Sequence, residues 1–255
     1  MKKIKIQYCS DLHLELDENS DEIMYNPLVP SGEILILAGD IIKLSGINDF
    51  GWFFDWASRN FTMTYWIPGN HEYYGHGIDE KHLSFQQEIR PNVMLLNNTS
   101  VEHEKFTMHF STLWSDIIAN NGKDIRLRVS DFRCIGYGDG FLTVEDFNSM
   151  HRASLDFLDM AFSKHNKKKS IVVTHHVPTL KNYPEHYVTS PINDAFATEL
   201  SGLIERWKPT YWIYGNHHNN VPSFKVGKTA MLTNQLGYVQ REDAKGFKRD
   251  ATITV

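Results

Sequence analysis

Cysteine is scarce in this chain: Cys9 and Cys134 are the only two in 255 residues. Two thiols cannot build a disulfide framework, which excludes the small stapled secreted class and fits a reducing compartment. No stretch approaches the ~20 apolar residues a membrane-spanning helix needs. Lysines open the sequence, but no apolar run follows them, so no signal peptide is expected and the cytoplasm is the expected location. A basic surplus is also missing: 26 Lys and Arg stand against 31 Asp and Glu, a formal net charge of −5. Proteins that grip long nucleic acid by its phosphates carry such a surplus, so long nucleic acid is not the expected partner. The short basic run Lys167–Lys169 reads as a solvated turn. Repeats, low-complexity tracts and Pro/Gly/Ser-rich linkers are absent, and one domain over residues 1–255 is the economical expectation.

What is present is an ordinary apolar content of 41% and 13 histidines, several beside Asp, Asn or another His. Short apolar runs of strand type recur, each ending in a polar cluster. Ile4–Cys9 runs into Asp11 and His13. Ile34–Ala38 runs into Gly39-Asp40. Thr62–Ile67 runs into Gly69-Asn70-His71. Ser170–Val173 runs into Thr174-His175-His176, and Tyr211–Tyr214 into Gly215-Asn216-His217-His218. Helical spacing is predicted over Ile47–Asn60, His82–Ile89, Val144–His165 and Asp194–Trp207. Asn92–Leu113 and Ser223–Val255 read as β, the second as hairpins. Strands alternating with helices predict an α/β layered fold.

In open α/β sheets ligands bind beyond the carboxyl ends of the strands. Five strands delivering Asp, Asn and His to one such edge can surround a metal. Carboxylate, imidazole and amide oxygen without thiolate suit Mn, Fe, Zn, Co or Ni. Asp11 and His13 are two apart, so on an extended segment their side chains leave one face. A carboxylate such as Asp40 has two oxygens and can bridge two ions. Two ions about 3.5–4 Å apart clamp a phosphoryl group and turn a shared water into hydroxide. A histidine serves as proton donor to the departing oxygen.

Asp11-x-His13, Gly39-Asp40, Gly69-Asn70-His71-Glu72, Thr174-His175-His176 and Gly215-x-x-His218, in this order and in these strand contexts, resemble the motif series of the calcineurin-like metallophosphoesterases. The likeness runs over roughly residues 4 to 240. It implies a four-layer αββα sandwich of two mixed β-sheets flanked by helices. It implies Asp11, His13 and His218 on one divalent ion, Asp40 bridging, and Asn70 and His175 on the other, with Mn the expected activating metal. His71 is implied as general acid or transition-state donor and not as a ligand, and a metal-bridging hydroxide as the nucleophile on a phosphodiester or phosphomonoester, a nucleotide among the candidates. Two positions depart from the family pattern. Lys43 stands where a further Asp is usual, which implies a change behind the ligands. Asn216 stands where a ligand histidine is usual. Three readings of Asn216 are open: a weak or harder-ion second site, His217 as the substitute ligand, or a weakened, even non-catalytic, variant. A nuclease acting on nucleic-acid ends is the rival enzyme reading.

Three further residues are candidate substrate contacts: Arg133 for a phosphate, Tyr73 for a base or ring, and His176 behind His175. Residues Trp114 to Arg133 are a candidate lid. His151 reads as a core or cap residue.

Overall fold

The computed structural model describes residues 3–79, 82–164 and 168–255. Its centre is two six-stranded sheets. In the first the order is β15 (Thr252–Thr254), β1 (Lys5–Cys9), β2 (Ile34–Ala38), β3 (Met63–Ile67), β6 (Val93–Asn97) and β5 (Phe85–Arg90). In the second it is β13 (Phe224–Val226), β14 (Thr229–Thr233), β12 (Tyr211–Tyr214), β11 (Lys169–Thr174), β8 (Phe106–Ser111) and β7 (Thr99–Glu102). Each sheet has four parallel strands inside and an antiparallel strand on either edge. Parallel strands are buried on both faces, which is why β2 reads Ile-Leu-Ile-Leu-Ala and is buried throughout.

The inner faces meet in one apolar layer: Ile6, Ile36 and Ile67 from the first sheet, Phe106, Phe110, Val173 and Ile213 from the second. The outer face of the first sheet packs on α1 (Asp17–Tyr25) and α2 (Gly51–Asn60) through Ile23, Phe53, Phe54 and Trp66. The outer face of the second packs on α5 (Val144–Ser163) and α7 (Ser201–Trp207) through Leu158, Ile204 and Trp212. This is the four-layer arrangement. Helix α5 starts at a capping box, in which the Thr143 hydroxyl accepts from Asp146 N and the Asp146 carboxylate accepts from Thr143 N.

A fourth apolar cluster forms a cap over the strand ends. It joins Tyr73, Trp114, Ile125, Phe132 and Phe147. The cap comprises α3 (Gly122–Arg128), α4 (Asp131–Cys134) and a small sheet of β4 (Gly77–Ile78), β9 (Gly136–Tyr137) and β10 (Gly140–Phe141). A single turn, α6 (Glu185–Val188), lies in the loop that completes the cavity wall.

Three expectations change. Residues predicted as a helix over His82–Ile89 include the edge strand β5 instead; Phe85 and Ile89 fit a helical stripe, but pairing with β6 decides the conformation. The helix predicted over Asp194–Trp207 begins only at Ser201, because the backbone before it is spent on Val177 and Pro178. The last strand, β15, forms no hairpin and closes the first sheet beside β1. The candidate lid, Trp114–Arg133, carries α3 and the start of α4 in the cap. Helix α5 ends at Ser163, and His165 and Lys167 lie outside the described residues.

Candidate metal centre

The parallel strands β1, β2 and β3 of one sheet and β11 and β12 of the other end at one place, and their polar clusters meet there. The backbone reaches it under strain. Asp11, His13, Asp40, Asn216 and His218 all have positive φ, between 46° and 78°. Each such non-glycine residue costs about 1–3 kcal/mol, and such costs collect at functional sites. The Asp11–His13 segment is therefore not extended. It is held by Asp11 N and His13 N donating to the carbonyls of Gly39 and Asp40, which continues the β1–β2 ladder into the loops. The flanking glycines make room: a Cβ on Gly69 would lie 2.2 Å from Asp40 Oδ1 and 2.7 Å from His175 Nε2.

The imidazoles are aimed by their outer nitrogens. Nδ1 of His13 donates to Glu15 at 3.3 Å, Nδ1 of His218 to Asp243 at 3.2 Å, and Nδ1 of His175 to the Ala38 carbonyl at 2.9 Å. That fixes the tautomer and turns each Nε2 inward, as metal-ligating histidines require. Asp40 then faces two groups. Its Oδ2 is 3.7 Å from His13 Nε2, and its Oδ1 is 3.4 Å from His175 Nε2. On the first side Asp11, His13, Asp40 and His218 bring one ligand atom each within 4.8 Å of one another. On the second side Asn70 Oδ1 lies 3.2 Å from His175 Nε2, because Asn70 Nδ2 is drawn outward by Asp131 at 2.9 Å.

The donor set fits divalent cations. Burial lowers the pKa of His13 and keeps it neutral. Its Nε2 lone pair points at His218 Nε2 only 3.0 Å away, so a proton or a cation must lie between them. Burial opposes a charge on His218, but hydrogen bonds to Asp11 and Asp243 outweigh it and raise its pKa to about 9. Burial likewise opposes ionisation of Asp40, and His175 and His71 outweigh it, so Asp40 stays a carboxylate well below the usual range.

Asn216 lies at this edge, with Nδ2 donating to the Phe196 carbonyl at 3.2 Å. Its amide oxygen is the atom left for a ligand. His217 is pinned: Nδ1 accepts from Gln235 Nε2 at 2.8 Å and from Asn219 N at 3.2 Å. That argues against its swinging in to replace Asn216.

His71 stands beside the cluster, its ring stacked on Tyr74 at 4.2 Å. Nδ1 donates to Glu15 Oε1 at 3.4 Å and Nε2 is 3.4 Å from the Tyr238 hydroxyl. Burial opposes its protonation, yet Asp40, Glu15 and Asp131 outweigh burial and raise its pKa. One oxygen of Glu15 thus serves both His13 and His71, and its other oxygen is buried without a partner. Glu72 braces the centre from below. Its carboxylate accepts from Asp40 N, Ile41 N, Gly69 N and Trp66 Nε1 at 2.7–3.0 Å. Burial and the Asp40 charge push Glu72 up to about 8, but every partner is an N–H donor, so the cage is built for the ionised form.

The candidate substrate contacts fare differently. Tyr73 is buried in the cap core, stacked on Trp114, and does not reach the cavity. Arg133 donates to the Leu127 carbonyl at 2.6 Å and does not line the cavity either. His176 is wholly buried against Trp114 and Phe147, and burial drives its pKa well down. Tyr73 and His176 pack in the cap core, whereas Arg133 is exposed and lies away from the cavity. His151 is buried too, with Nδ1 donating to the Leu113 carbonyl. The supporting groups Glu15, Asp131, Tyr238 and Asp243 escaped sequence reasoning. Only Glu15 carried a signal, being two residues beyond His13.

Over the centre opens a cavity of about 520 Å³. Its walls come from Arg128 to Asp131 of the cap, from Tyr183 to Phe196, and from Tyr238 to Asp243. Among the described residues no helix is long and apolar enough to cross a membrane.

Residues 4–220 match the family of calcineurin-like phosphoesterases. Uncharacterized protein L509 of Acanthamoeba polyphaga mimivirus is 29% identical over 260 residues, spanning 91% of this chain and 91% of that protein. Among solved structures, phosphopantetheinyl hydrolase from Mycobacterium tuberculosis superposes with a TM-score of 0.68, over 98% of this chain and 95% of that one, at 16% identity. That last likeness is one of fold. The family match covers β1 to β12, the motif turns and the cap, and the chain belongs to the calcineurin-like phosphoesterases.

Proposed function

We propose that this chain hydrolyses small organic phosphoesters, diesters before monoesters, with two divalent ions held on either side of Asp40. The observation that carries the reading is the Asp40 carboxylate, one oxygen toward His13 and the other toward His175. Asp11, His13 and His218 would hold one ion with Asp40, and Asn70, His175 and the Asn216 oxygen would hold the other. A divalent pair supplies Lewis acidity to the phosphoryl group and makes an attacking water acidic, with manganese the expected activator.

The protein's own part is positioning and proton transfer. His71 holds a proton on Nε2 at the rim of the centre and gives it to the departing oxygen. Glu15 fixes the ring by its Nδ1–H, and Tyr238 limits its swing. The C-terminal strand β15 beside β1 supports treating residues 1–255 as one catalytic domain. Two free cysteines support a reducing, cytoplasmic setting. Asn216 favours one second reading, a homologue that binds metal or nucleotide and turns over poorly.

Hydrolysis of p-nitrophenyl phosphate and bis(p-nitrophenyl) phosphate, with and without Mn²⁺, separates the two. The expected result is metal-dependent cleavage, faster on the diester. No cleavage of either at millimolar metal, with none created by Asn216→His, rejects the catalytic reading.

A further inference from the structure

Beyond the metal centre the cavity holds chemistry that the hydrolytic step does not use. Arg128, at the end of α3, and Arg241, beyond Tyr238, both line it. Among the described residues neither has a carboxylate within 4.0 Å. The carboxylates of the same walls are already engaged. Asp131 accepts from Asn70 and Tyr74, and Asp243 accepts from His218 and from Tyr238 N. Arg241 is nonetheless placed: its guanidinium lies 4.8 Å over the Tyr238 ring. Such a contact holds the plane and leaves the N–H fork free for a bidentate anion.

Deeper on the wall, Asn193 is only 7% exposed and its Oδ1 is buried with no hydrogen-bond partner. An unmet buried acceptor costs about 1–3 kcal/mol. A ligand donor would remove that cost. Tyr183 and Tyr187 on the same wall offer ring faces. The cavity, at about 520 Å³, is far larger than a phosphate group alone requires.

We propose that this cavity is a subsite for phosphoesters carrying a second phosphate, of the nucleoside-bisphosphate class. The scissile phosphate sits on the metal centre. The second phosphate pairs with Arg128 and Arg241, and a hydroxyl or amine of the group between them donates to Asn193 Oδ1. Which phosphate is cut rests on the phosphoesterase reading above; the two-anion match does not.

Calorimetric titration of the Mn²⁺-loaded protein with thymidine 3′,5′-bisphosphate and with thymidine 5′-phosphate tests it. The bisphosphate should bind at least about tenfold tighter, and the preference should collapse in R128A/R241A. Equal binding of the two, or a preference that survives in the double variant, overturns the subsite. Cleavage of bis(p-nitrophenyl) phosphate is measured on the same preparation. A bisphosphate preference without cleavage keeps the subsite and removes the hydrolase; cleavage without the preference does the reverse.

Discussion

His13 and His218 present their Nε2 atoms to each other at 3.0 Å, each ring locked from behind by a carboxylate. Two lone pairs cannot share that gap, so a proton on His218 and a divalent ion compete for it. Metal should therefore stabilise the fold. At about one hundred times its dissociation constant, an ion that binds only the folded state adds about 2.7 kcal/mol, or about 5–10 °C in Tm for a chain of this size. Thermal melts in EDTA and in saturating Mn²⁺ measure this; coincident melts would contradict it.

The same competition sets a pH dependence. Burial opposes charge on His175, but Asp40 and Asp11 outweigh it and raise its pKa to about 10; His218 is raised to about 9. A histidine with a raised folded pKa stabilises fully below its unfolded value, about 6.5, and that stability fades as pH climbs through the folded value. The metal-free protein should thus lose stability between about pH 6.5 and 10. Metal must displace both protons, so apparent metal affinity should rise over the same window. Titrations with Mn²⁺ at pH 6.0, 7.0 and 8.0 should show tightening at each step, and a flat series would sink this explanation.

Glu15 joins His13, a proposed metal ligand, to His71, the proposed proton donor. Glu15→Gln should lower kcat by about 10- to 100-fold. The loss should be larger for an alkyl ester than for a p-nitrophenyl ester, whose leaving group needs no proton. Equal losses on both would assign Glu15 to metal binding alone.

Glu72 answers four N–H donors in a fully buried place. Glu72→Ala leaves those donors unmet at about 1–3 kcal/mol each, so a destabilisation of several kcal/mol is expected. Urea unfolding checks it, and a change below about 1 kcal/mol would show that water replaces the carboxylate.

Much of this was legible in the sequence because burial and punctuation coincide. Ile34–Ala38 is apolar on both faces and stops at Gly39-Asp40, so its type and its functional end are both written locally. The edge strand β5 was not legible: Phe85 and Ile89 suit a helix as well as a strand, and only β6 decides. The supporting shell was hidden for a different reason. Asp131, Tyr238 and Asp243 come from segments with no strand-end signature and reach the centre through the cap and the last loop. Tyr73 misled because it follows Asn70-His71 directly, yet the short turn beginning at His71 directs it into the cap core.

Two ions are proposed to flank Asp40, with the Asn70, His175 and Asn216 side the weaker. Metal-stripped protein is titrated with Mn²⁺ while bound metal and cleavage of bis(p-nitrophenyl) phosphate are followed together. Binding should proceed in two unequal steps, and activity should rise with the second. Activity complete after one equivalent, or no cleavage with both equivalents bound, would contradict the account.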